Sequence, residues 1–131
     1  MPSFEPIPAE AERIATAVVD AAFTVHSSLG PGLLESVYEA CLCHELTQRD
    51  IPFQAQVALP VMYNGTRLEA GLRLDLLVAD RVIVELKAAE KMVPLYDAQL
   101  LTYLKLTGLR LGLLINFNVP LIKEGIRRIV R

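Results

Sequence analysis

The chain has 131 residues, 53% hydrophobic and 21% charged, the balance of one compact soluble domain spanning residues 1–131 rather than a disordered segment. Its net charge of −2 and pI near 5.7 disfavour a non-specific nucleic-acid binder. Two cysteines exclude a disulfide framework or a thiolate metal cage.

Met1 to Arg13 contains three glutamates and three prolines and lacks the basic, apolar and small-residue regions of a signal peptide. Ile14, Val18, Ala21, Ala22, Val25 and Leu29 have the one-sided spacing of an amphipathic helix over Pro8 to Leu29, ended by Gly30-Pro31-Gly32. A second helix is predicted from Leu33 to Arg49, with Leu34, Val37, Tyr38, Cys41, Leu42 and Leu46 inward and Glu35 at the edge of that face. Cys41 and Cys43 point to different faces of it and read as ordinary residues of a reduced, cytoplasmic protein. His26 and His44, on different helices without partners, read as surface or satisfied-core residues.

From Phe53 the period changes to two. Strands are predicted at Gln54–Met62, Thr66–Val78 and Val82–Ala88, joined by an Asn64-Gly65 hairpin turn and a tight Ala79-Asp80-Arg81 connection. Helical spacing returns at Leu95–Leu106 and stops at Gly108, followed by strands at Arg110–Phe117 and Ile126–Val130. The order predicts an α+β, mixed α/β sandwich whose fourth strand returns parallel through a crossover. The apolar run Leu111 to Val119 is far short of the roughly 20 residues that cross a bilayer, so no membrane association is expected.

The second and third strands carry the charge that matters. Glu85 and Lys87 are two apart and share a face, while Asp75 is the only acid of Leu72–Val78. A three-residue connection at Ala79–Arg81 sets Asp75 opposite Glu85, whereas a two-residue loop would put them on opposite faces. Crowded carboxylates repel, and a hard divalent cation such as Mg²⁺ or Mn²⁺ relieves that repulsion. Lys87 would then stabilise transition-state charge or orient water. The alternative is a partly buried Lys87–Glu85 ion pair with Asp75 as second acceptor. Gln99 and Tyr103, four apart on a helix, could bond a phosphate or a bound water, or simply pack. Residues 1–80 are strongly acidic and residues 81–131 basic, an asymmetry compatible with one positive face.

Gly32-Leu33-Leu34-Glu35-Ser36-Val37-Tyr38 resembles the signature of the GxxExxY protein family, within the PD-(D/E)XK nuclease superfamily. The resemblance runs from Leu29-Gly30-Pro31-Gly32 through Asp75, Val84-Glu85-Leu86-Lys87 and Ala98-Gln99-Leu100-Leu101-Thr102-Tyr103-Leu104 to Leu114-Ile115-Asn116-Phe117. It implies a restriction-endonuclease-like αβββαβ core with an extra N-terminal helix. It further implies Asp75 and Glu85 as metal ligands, the Leu86 carbonyl as a third, and Lys87 as the catalytic lysine. Glu35 corresponds to the helical acid beside the metal, and Gln99 with Tyr103 resembles the glutamine–tyrosine motif of the RecB-like branch.

The expectation is a Mg²⁺- or Mn²⁺-dependent nuclease hydrolysing DNA phosphodiesters. Its rivals are a non-catalytic nucleic-acid- or protein-binding module on the same fold, and a homo-oligomer that buries its apolar surplus.

Overall fold

Five strands form one mixed sheet in the order β1-β2-β3-β4-β5, in a computed structural model that describes residues 5–131. Residues 1–4, the start of the segment read above for signal-peptide character, lie outside the described residues. The strands β1 (Phe53–Tyr63), β2 (Thr66–Val78) and β3 (Val82–Lys87) make an antiparallel meander. Asn64 and Gly65 both take positive φ, 50° and 76°, the geometry that matches a two-residue hairpin turn to strand twist. Helix α3 (Pro94–Thr107) then carries the chain to β4 (Leu111–Asn116), which runs parallel to β3. The edge strand β5 (Ile126–Val130) closes antiparallel on β4. This is a mixed α+β architecture of the restriction-endonuclease-like kind.

Every residue of β4 is buried, and so is β3 up to Leu86, because helices cover both faces of the sheet. On one side α1 (Ala9–Leu29) and α2 (Glu35–Gln48) pack with Leu76, Val78, Val82, Val84, Leu86 and Leu113. On the other side α3 contributes Leu100, Tyr103 and Leu104 to a smaller cluster with Leu74, Ile83 and Leu114. No helix among the described residues is long and apolar enough to cross a membrane.

Helix α2 is rotated from its expected position. Its buried residues are Tyr38, Leu42 and Leu46, whereas Leu34 is 73% exposed and Val37 also faces outward. Tyr38 decides the rotation. Its ring stacks on Phe117, centroids 4.6 Å apart and planes 6° from parallel. Its hydroxyl donates to the Gly30 carbonyl at 2.6 Å and accepts from the Leu33 N–H at 3.1 Å, so one side chain ties the Gly30-Pro31-Gly32 turn to the sheet. Gly32, at φ 98°, is in a region that side-chain-bearing residues rarely enter, and its N–H donates to Asn118 Oδ1 at 3.1 Å. His26 is a satisfied core histidine, with Nε2 2.8 Å from the Val119 carbonyl.

Tyr38→Phe keeps the stack and strands two partly buried backbone groups, so it is expected to lower stability by about 1–2 kcal/mol. Tyr38→Ala, which also empties the ring's volume, should lose about 3–5 kcal/mol. Urea unfolding of both variants checks the order. Equal losses would mean that the stacked ring contributes nothing, and no loss in Tyr38→Phe would mean that the hydroxyl contributes nothing.

Candidate functional site

The β2–β3 ladder runs from Val78↔Val82 to Leu76↔Val84, with the three-residue connection that parity requires if Asp75 and Glu85 are to be next in line. At that next position side chains replace the ladder. The Asp75 N–H donates to Glu85 Oε1 at 3.2 Å, and the Leu86 N–H donates to Asp75 Oδ2 at 2.8 Å. Buried strand N–H groups require partners, and here each acid supplies one to the other strand.

The neighbouring strand bends at the same place. Gln56 lies between the pairs Ala55↔Leu76 and Val57↔Leu74, level with Asp75, and has φ 54°, a strained value for a residue with a side chain. Its carbonyl accepts from Arg73 at 3.1 Å. Residues two or four apart on a regular strand share a face, yet Leu76 packs under α1 and α2 while Leu74 packs under α3. Phe53 and Val57 divide the same way on β1. The sheet therefore changes face at Gln56 and Asp75, and this frees the Asp75 carboxylate to turn toward the β3 backbone.

Glu85 is 5% exposed. Burial, then the charge of Asp75, pushes its carboxyl up to about 8, with a hydrogen bond between the two carboxyls also raising it; the Asp75 N–H and the Lys87 charge only partly oppose this. Below that pH a proton stabilises the pair. Glu35, in the first turn of α2, lines a cleft of about 180 Å³ with Ser36, Glu39, Gln56 and Asp75. Its carboxyl is also held above the ordinary range, by burial first and then by Asp75 and Glu39, against Lys87. Glu85 is not part of that cleft's wall, so Asp75 stands between the two acids.

Lys87 forms no ion pair among the described residues, which corrects the buried Lys87–Glu85 pair considered above. Its Nζ lies over the ring of Tyr96, 4.4 Å from the centroid, and this aromatic face offers an alternative to the carboxylates. Tyr103 packs in the α3 cluster. Its hydroxyl is raised by burial and then by Glu85 and Asp75, with hydrogen bonding to Gln99 in opposition. The Leu86 side chain is core, and its main chain is fixed beside Asp75. Cys43 is pushed up to about 11 by burial and then by Glu39, so it stays a thiol and is no nucleophile at neutral pH.

Sequence reasoning missed Gln56, Glu39 and Tyr96. Gln56 Nε2 donates to Glu39 Oε1 at 2.8 Å across the mouth of the cleft. Glu39 was within reach, one turn after Glu35 on the same helix face. Nothing in a strand-like run announces a left-handed glutamine, and Tyr96 acts across a loop.

Residues 12–129 match the family model described as the PD-(D/E)XK nuclease superfamily. The chain belongs to that superfamily. No curated protein and no solved structure matches it. Nucleases of this superfamily act on nucleic acid and generally use divalent metal ions. Among the described residues no three His, Cys, Asp or Glu side chains already form a metal cage. The donors nevertheless suit a hard cation, being oxygen only, with a crowded acid pair whose repulsion a divalent charge would relieve.

An acid raised to about 8 in the folded state and near 4.5 unfolded contributes stability that is fully present below 4.5 and lost as pH rises to 8, with a slope of about 1.4 kcal/mol per pH unit. The metal-free protein should therefore lose melting temperature across that window, and Glu85→Gln should flatten the profile. Parallel profiles for the two proteins would show that Glu85 titrates normally.

Proposed function

We propose that this nuclease-superfamily chain hydrolyses DNA phosphodiester bonds using Mg²⁺ or Mn²⁺ held by Asp75, Glu85 and the Leu86 carbonyl, with Glu35 at the margin. The observation that carries the reading is the interrupted ladder, where two acids face one another in a part-buried gap of the sheet and burial with the Asp75 charge pushes Glu85 up to about 8. A crowded acid pair lowers the stability of a fold unless a cation repays it. When bound, the cation supplies positive charge for the phosphate oxygens and a more acidic water.

The protein's own groups do the rest. Asp75 and Glu85 are fixed by main-chain N–H groups on opposite strands, so their oxygens are positioned before any ligand arrives. Lys87, which makes no salt bridge among the described residues, faces the incoming phosphate and stabilises the charge that develops on it. Tyr103 and Gln99 offer a hydroxyl and an amide from α3 as hydrogen-bond donors to the phosphate. The GxxExxY likeness gives Glu35 its place in this set, and Tyr38 holds the glycine turn that precedes the helix carrying Glu35.

Phosphate contacts are supplied by fewer groups than the basic C-terminal half suggests. Arg127 is bonded to Asp97 at 2.8 Å and Arg128 to Glu12, so each of these arginines would have to leave its acid to meet a phosphate. Lys87, Lys91 and Lys105 make no salt bridge among the described residues.

With Mg²⁺ or Mn²⁺, cleavage of single- and double-stranded DNA should fall about 100-fold or more in Asp75→Ala, Glu85→Ala and Lys87→Ala, as when one transition-state group is removed. The same assay on RNA tests the choice of nucleic acid. Undiminished cleavage in folded variants would remove the assigned roles, and binding without cleavage in the parent protein would support the non-catalytic rival. DNA affinity should fall with salt at a log–log slope of about −2 to −3, one phosphate for each of Lys87, Lys91 and Lys105. A slope near zero would dissociate these lysines from binding.

A further inference from the structure

Lys87 is placed where a simple ion pair is expected and does not make one. It shares a strand face with Glu85, two residues away, and its charge acts on Glu85 and Glu35. Yet its ammonium lies 4.4 Å over Tyr96. Both supports of that contact are rigid. The Lys87 carbonyl accepts from the Phe117 N–H at 3.0 Å, and the Asn116 amide clamps the Ala89 N–H and carbonyl, each at 3.0 Å. Tyr96 stands in the first turn of α3, fixed by Pro94 at the helix start and by its own N–H on the Val93 carbonyl at 3.0 Å.

We propose that Tyr96 is a positioning residue, whose ring holds the Lys87 ammonium on the α3 side of the site and prevents it from neutralising Asp75 and Glu85. A cation is attracted to an aromatic face without hydrogen bonds that would have to be broken later. A carboxylate would bind it more directionally and would also cancel the charge that attracts a divalent cation. The ring thus keeps a positive charge from settling on the acid pair and leaves the lysine donors free for a phosphate. The role of the pair in catalysis rests on the function proposed above, whereas the contact itself does not.

The experiment uses the full chain with the variants Tyr96→Phe, Tyr96→Leu and Tyr96→Leu combined with Lys87→Met. Three quantities are read: the side-chain methylene resonances of Lys87, assigned through its loss in Lys87→Met; Mn²⁺ affinity by calorimetry; and, with DNA, turnover separately from KM. In the parent protein and Tyr96→Phe, the Lys87 resonances should be displaced upfield by the ring and Mn²⁺ affinity should be equal. In Tyr96→Leu the displacement should vanish and Mn²⁺ affinity fall about tenfold as the freed lysine reaches the acids, a modest effect for a unit charge a few ångströms away. Adding Lys87→Met should restore the affinity, which repair of a merely unfolded variant would not do. Turnover should fall about tenfold in Tyr96→Leu with little change in KM.

Undisplaced Lys87 resonances in the parent protein would overturn the proposal. So would unchanged Mn²⁺ affinity in Tyr96→Leu, or failure of the double variant to recover it. If the parent binds Mn²⁺ but cuts no nucleic acid, the catalytic reading fails while the resonance and affinity measurements still decide the role of Tyr96.

Discussion

Asp75 and Leu86 give their backbone N–H groups to side chains where a sheet would normally provide carbonyls. That exchange holds the candidate site together. It fixes two carboxyls in a gap between adjacent strands without an added loop, and it does so inside a layer where unpaired polar groups are costly. The consequence is electrostatic. Two acids that satisfy each other's strand are close enough to share a proton, and Glu85 titrates near 8 instead of in the ordinary carboxylate range. The pair is crowded enough that a proton or a cation would relieve it.

The surrounding elements keep that gap from collapsing into a regular ladder. On one side Gln56 holds a left-handed backbone and bonds to Glu39, so β1 cannot run straight past Asp75. Strain of this kind persists only where neighbours over-determine it. Above the sheet, Tyr38 locks the glycine turn and sets the first turn of α2, from which Glu35 reaches the cleft. Below it, α3 sets Tyr96 under the lysine and packs Tyr103 where the charges of the acids are felt. Each of these supports comes from a different part of the chain, which explains why the site needs almost the whole of it.

Much of the architecture was legible because periodicity reports burial. The switch from helical spacing to alternation at Phe53, the Asn64-Gly65 turn and the apolar β3 and β4 runs pointed to the antiparallel meander and the parallel return of β4, and the three-residue Ala79–Arg81 connection to the Asp75–Glu85 alignment; the place of β5 beside β4 was not read. The inward face of α2 was misjudged because Leu34 and Val37 are as apolar as the residues that do pack; the stack of Tyr38 on Phe117, 79 positions away, overrode local pattern. The pairings of Arg127 with Asp97 and Arg128 with Glu12 were equally invisible, since each joins distant segments at the β5 edge. Gln56 and Tyr96 were missed because a backbone dihedral and a cation held across a loop leave no trace in spacing.

The most direct test is the proton count on metal binding. Mg²⁺ or Mn²⁺ titrated into the protein at pH 7 in two buffers of different ionisation enthalpy gives the number of protons released. With Glu85 titrating near 8, the account predicts release of about one proton per cation, and of none in Glu85→Gln, with weaker binding. Cation binding without proton release, or with the same release in Glu85→Gln, would contradict an acid pair that exchanges its proton for metal.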